Sequence, residues 1–308
     1  MKRIWSRMTY SMIWLGIWVL PLSAASAAPP DLSAGIAKCG FIANEYKFRG
    51  TDLQQAACLL RRVKQFGDVE SRPVALPAFL RTRIGRPVDH SRSQMRIHLR
   101  SLNMDEGSVG GSLIQELSHA NNSDFNAPTA RYFVIHDTST ELEGRMAFPP
   151  DMNTADRWND LTADGGPNAR AHFFINRRGE SIVGHDLSIP WRAVRVEKDE
   201  VSGGLAKGLF VHVELKQHRL KDSRYPNGYF SKAPQPGFTD AQYQRLALLY
   251  LVTATRSGRY LVPGFHAAID DGISGAHDDP QNFDLKRFDN ALSSTSRRIR
   301  RLPEGPGV

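Results

Sequence analysis

A chain of 308 residues is long enough to bury a sizeable core in one or two domains. At 41% hydrophobic and 23% charged residues, it is neither a disordered polymer nor a multi-span membrane protein. Its formal net charge of +8 favours anionic partners such as cell wall, nucleic acid or lipid headgroups.

The first residues of the chain read as an export signal. Lys2, Arg3 and Arg7 are followed by the apolar run MIWLGIWVL (12–20), which is too short to cross a bilayer as a helix. Ala25-Ser26-Ala27 then offers small residues to a signal peptidase, so residues 1–27 are expected to be a signal peptide cleaved before Ala28. The alternative is an uncleaved anchor helix; no cysteine follows the run to carry a lipid. Cleavage leaves a net charge of 8 − 3 = +5. The expected location is the periplasm of a Gram-negative cell, or the medium, with no stable membrane span in the mature chain. Cys39 and Cys58 are the two cysteines. In an oxidising compartment they are expected to form one disulfide; the alternative is two buried thiols.

Residues 28–127 form an N-terminal accessory region to which the sequence assigns no role. Thr51-Asp-Leu-Gln54 is a capping box, and LQQAACLLRRV continues the helix that it opens. Pro73, Pro77 and Pro87 punctuate the stretch beyond that helix, and GSVGGS (107–112) and NNSDFNAP (121–128) are turn material.

Residues 128–292 alternate strand and helix signals. RYFVIH (131–136) is an apolar, β-rich run. AHFFIN (171–176), RRGE and SIVGH (181–185) read as a hairpin, and LFVHVEL (209–215) as a further strand. Thr239-Asp-Ala-Gln242 opens a helix with Tyr243, Leu246, Ala247, Tyr250 and Ala254 on one face, closed by Gly258. YLVPGF (260–265) is one more strand. This order predicts an α/β (α+β) fold with a mixed central sheet flanked by helices and a partly helical N-terminal extension. Residues 293–308, SSTSRRIRRLPEGPGV, are expected to be a basic, flexible tail.

The chemistry-bearing residues sit where strands end. His136 closes RYFVI and His266 closes YLVPGF. Asp279 is stiffened by the proline that follows it. Two imidazoles and one carboxylate are the usual protein ligands of a catalytic zinc, with a fourth position left for water. Glu214, at the end of LFVHVE, is placed to act on that water.

These segments resemble the zinc-dependent type 2 N-acetylmuramoyl-L-alanine amidases, whose fold is shared with phage amidase lysozymes and peptidoglycan recognition proteins. FVIHDTS is similar to the family's first-ligand strand, AHFFINRRGESIV to its hairpin, FVHVEL to the strand with its glutamate, and FHAAIDDGISGAHDDPQNFD to its closing segment. The likeness covers roughly residues 130–290. It implies that His136, His266 and Asp279 bind Zn2+ and that Glu214 helps to deprotonate the zinc water. His277 stands where the family places a lysine or threonine, two residues before the last ligand, and is expected to stabilise the oxyanion. The family's Trp-His-Ala is here Trp191-Arg192-Ala193, and Arg192 is either a contact for a substrate carboxylate or a solvated residue. Trp191, Arg192 and His172 are the expected substrate-binding residues. The spacing of His266 and Asp279, thirteen positions, is longer than in compact members.

The implied activity is hydrolysis of the amide between N-acetylmuramic acid and L-alanine in peptidoglycan or muropeptides. Nucleic acid is not an expected partner. One alternative is a non-catalytic peptidoglycan-binding protein on the same fold. Another is a glycosidase with paired carboxylates such as Asp278 and Glu214, which leaves both histidines unexplained. No G-x-S-x-G nucleophile elbow is present.

Overall fold

The computed structural model describes residues 38–166, 169–221 and 231–304. The expected signal peptide lies outside the described residues. The described chain belongs to one compact unit.

Among the described residues, three helices of six or more residues precede the main sheet. Helix α1 (Asp52–Leu59) begins at the expected capping box: Thr51 accepts from the Gln54 amide, and the Gln54 side chain accepts from the Thr51 amide. Helix α2 spans Ala78–Arg83. Helix α3 (Arg92–Ser101) has the same reciprocal cap from Ser91 and Gln94.

The main sheet contains β1 (Tyr132–Asp137), β2 (Phe173–Ile175), β3 (Ser181–Val183), β4 (Phe210–Leu215) and β5 (Val262–Phe265), in the order β5-β1-β4-β2-β3. Its pairs are parallel except for the β2–β3 hairpin. Every residue of β1 is buried, which is why that strand reads as a continuous apolar run rather than an alternation. Successive side chains still serve opposite faces. Tyr132 stacks on Phe210 and meets Phe48 of the N-terminal region edge-on, while Phe133 meets Tyr250.

Tyr250 belongs to helix α4 (Asp240–Ser257), capped by Thr239 and ended by Gly258 at φ +78°, a left-handed conformation that glycine adopts freely. Helix α5 (Leu285–Arg300) adds Phe288 against Tyr250. Helices therefore cover one face of the sheet, and α1 with the 39–48 segment covers the other.

Two elements differ from the sequence expectation. Among the described residues of the 28–127 region, Phe41, Phe48, Leu59, Leu80 and Met95 share one core with the sheet. The expected flexible tail is helical through Arg300. Phe288, Ala291, Leu292, Thr295 and Ile299 make a buried face at helical spacing, and the serines and arginines that suggested disorder occupy the rest of that helix. Cys39 and Cys58 form the expected disulfide.

Candidate metal centre

Parallel register builds the centre. His136 of β1 lies opposite Glu214 of β4, and Ile135 opposite Phe265. His266, the next residue, therefore emerges beside His136. All three groups stand at the carboxyl ends of adjacent parallel strands, where open α/β sheets place their ligands. Asp279 arrives on the closing loop. Its carbonyl accepts from the Ala267 amide at 2.8 Å, and its Oδ2 from the Asp137 amide at 3.1 Å.

His136, His266 and Asp279 are all buried, with ligand atoms within 4.8 Å of one another, and can hold one metal ion. The two Nδ1 atoms lie 2.9 Å apart. His266 Nδ1 is 3.0 Å from Asp279 Oδ1, and His136 Nδ1 is 3.7 Å from Asp279 Oδ2. These separations bracket the roughly 3.3–3.6 Å edges of a tetrahedron whose vertices lie about 2.0–2.2 Å from its centre.

The other ring nitrogens are engaged behind the trio. His266 Nε2 donates to Asp270 Oδ2 at 3.1 Å, and Asp270 is held by the Arg195 and Val196 amides. That bond turns Nδ1 of His266 toward the centre. His136 Nε2 lies 3.0 Å from His212 Nδ1. His212 Nε2 is 3.0 Å from buried Glu197 Oε2 without hydrogen-bond alignment, and that carboxylate accepts from the Ala193 and Val194 amides.

The electrostatics favour positive charge at the centre. Burial works against a charged His266, yet Asp279 and Asp270 raise it well above the ordinary imidazole range. Burial, then the charge of His266, pushes His136 well below that range. Burial would raise the Asp279 carboxyl, but His266 overrides it and holds the group well below the carboxylate range. These buried carboxylates favour positive charge beside His136 and His266, where a cation would sit. Glu214 has a buried Oε2 without a hydrogen-bond partner among the described residues. Its carboxyl is pushed well above the usual range, first by burial and then by the charges of Asp279 and Asp137.

His277 stacks on His266 with ring centroids 4.5 Å apart, is outside the ligand trio, and has 57% of its side chain exposed. Burial, followed by the charge of His266, lowers its pKa. The other expected substrate contacts are placed differently. His172 has no exposed surface. Its Nε2 donates to the Ile189 carbonyl, and its Nδ1 accepts from the His212 amide. It thus braces the sheet and presents no atom to a substrate. Trp191 stacks on His185 at 4.0 Å and donates to the Arg170 carbonyl. Arg192 is exposed, 3.7 Å from Asp199.

The sequence marks Asp270 as one of several acid/base residues in the closing segment without giving it a role, and does not single out His212 or Glu197. Two had legible signals: Asp270 follows His266 by one helical turn, and His212 lies on the same strand face as Glu214. Comparisons with protein-family models, curated proteins and solved structures found no match, so geometry and the motif resemblance carry the interpretation.

Proposed function

We propose that this protein is an exported, zinc-dependent N-acetylmuramoyl-L-alanine amidase acting on peptidoglycan or muropeptides. The observation that carries this reading is the buried His136–His266–Asp279 trio, two histidines at strand ends and an aspartate on the closing loop, with Glu214 one strand away. Two imidazoles and a carboxylate form a zinc ligand set, and the Asp270 bond to His266 is the support such a ligand requires. The motif resemblance supplies the substrate class.

When bound, zinc supplies Lewis acidity to an amide carbonyl and lowers the pKa of its water toward about 7. Hydrolysis places the water oxygen on the lactyl carbonyl carbon, breaks the bond to the alanine nitrogen and leaves a carboxylic acid and an amine. Glu214, opposite His136 on the neighbouring strand and with one carboxylate oxygen unpartnered among the described residues, takes the water proton and delivers it to the departing nitrogen. His277 donates an N–H to the carbonyl oxygen as that atom gains charge.

The test is metal analysis of the purified protein alongside hydrolysis of a defined muropeptide. Near-stoichiometric zinc is expected, with activity lost to a chelator and restored by zinc. Glu214→Gln and His277→Ala are each expected to retain zinc. His277→Ala should lose about 10²–10³ in kcat. Zinc loss in His277→Ala would make His277 a ligand. An inactive wild-type protein that still binds muropeptides would instead support the binding-protein reading.

A further inference from the structure

We infer that the arginine-bearing face formed by α2, α3 and the end of α5 docks on an anionic phospholipid surface. Residues 78–104 and 288–304 contain ten arginines and no lysine, against Asp89, Asp289 and Glu304. Packing makes one surface of these segments. The Phe79 and Leu80 amides of α2 donate to Asp289 of α5, and Gln94 of α3 donates to the Leu302 carbonyl beyond α5. Arg83 and Arg300 both pair with Asp89.

That leaves most of the charge uncompensated. Arg92, Arg100, Arg298 and Arg301 are exposed and have no carboxylate partner among the described residues. Arg92, Arg96 and Arg100 follow one another at four-residue spacing, as do Arg297 and Arg301, so like charges sit on successive turns and repel. Only Arg96 of the first stripe is neutralised, by Glu106. Basic residues near the end of α5 favour its dipole, but that does not account for the stripe beginning at the first turn of α3.

The apolar neighbours select the partner. Leu102, 45% exposed, lines a cleft with His98 and Arg298; Ile114, 67% exposed, lines another with Arg92 and Arg96. Guanidinium groups beside protruding aliphatic side chains match a surface with phosphates outside and hydrocarbon beneath. Binding of single-stranded nucleic acid relies on aromatic stacking platforms, and neither cleft is lined by Phe, Tyr or Trp. The exposed Arg298 and Arg301 lie toward the end of α5 that is far from the closing loop, roughly 20–24 Å along the helix from its first residue.

The test is flotation of the full mature protein with vesicles of phosphatidylcholine alone or mixed with phosphatidylglycerol. Binding is expected only to the mixed vesicles, with loss at high salt. The variant Arg92→Ala/Arg100→Ala/Arg298→Ala should bind roughly 100-fold more weakly. The variant Arg72→Ala/Arg170→Ala/Lys232→Ala, with the same change in net charge, should bind normally. Leu102→Ser/Ile114→Ser should weaken vesicle binding but not retention on heparin. Melting curves establish that each variant is folded. Equal loss in the two triple variants would assign the effect to net charge rather than to this face. Retention on heparin or nucleic acid without vesicle binding, or no effect of the first triple variant, would overturn the lipid reading.

Discussion

His172 illustrates how a residue expected to bind substrate is taken up by the packing of the sheet. The Ala-His pair ahead of FFIN suggested substrate contact, but strand pairing turns the ring inward. Both nitrogens then have partners, one as donor and one as acceptor, so the ring is neutral. Burial, then the nearby His212, pushes its pKa down to about 3. Below an ordinary histidine pKa of about 6.5, the unfolded chain takes up a proton that the folded chain refuses. Its contribution therefore costs nothing above that pH and destabilises progressively as pH falls toward 3, by about 1.4 kcal/mol per unit. His172→Gln is expected to melt at a lower temperature at pH 7.5 but with a shallower decline toward pH 5. An unchanged slope between denaturation series at these pH values would mean that His172 does not titrate on unfolding.

At the scale of elements, the five strands of the main sheet were legible because each concentrates apolar and β-branched residues between turn signals. The parallel register that aligns His136 with Glu214 was not, because periodicity does not specify strand partners. Nor was the clamp across β1, the strand His218–Lys221 and the closing loop. Buried Arg219 donates to both Asp137 oxygens, at 2.9 and 2.7 Å, and to Asp278 at 3.2 Å. These carboxylates adjoin the candidate ligands His136 and Asp279 in sequence. Asp137 also accepts from the Gln281 amide beyond Asp279. Burial raises the Asp137 carboxyl to about 6 against the pull of Arg219. Arg219→Met leaves two carboxylates uncompensated and should cost about 3–5 kcal/mol of stability. Zinc affinity, read by competition with a chelator, should fall about 10–100-fold, with partial recovery in Arg219→Lys. Lost stability with unaltered zinc affinity would restrict the clamp to folding.

Across the whole molecule, the N-terminal region and the closing loop are distant in sequence but form one structural support. Arg61 is buried beside the disulfide. It donates to the Cys58 carbonyl at 2.9 Å, to Asp271 Oδ2 at 2.9 Å and to the Ala268 carbonyl at 3.3 Å. The Lys38 amide donates to the Asp271 carbonyl, and the Phe66 amide to Gln281. Ala268 and Asp271 flank Asp270, the residue that orients His266. The 39–58 crosslink therefore bears on the metal centre even though neither sulfur approaches a ligand in sequence. Closing a loop of sequence separation 19 should contribute about 3 kcal/mol by restricting the unfolded chain. Cys39→Ser/Cys58→Ser is accordingly expected to lower the single melting transition of the mature protein by about 6–12 °C. Zinc should also be released at a lower chelator concentration, because the support beneath Ala268 and Asp271 loosens. Two separate transitions, with the upper one and zinc retention unchanged, would show that residues 38–70 fold as an independent appendage. Calorimetry on zinc-loaded and zinc-free protein distinguishes these outcomes: loss of a shared support lowers the main transition of both forms, whereas loss of an appendage's crosslink lowers it in neither.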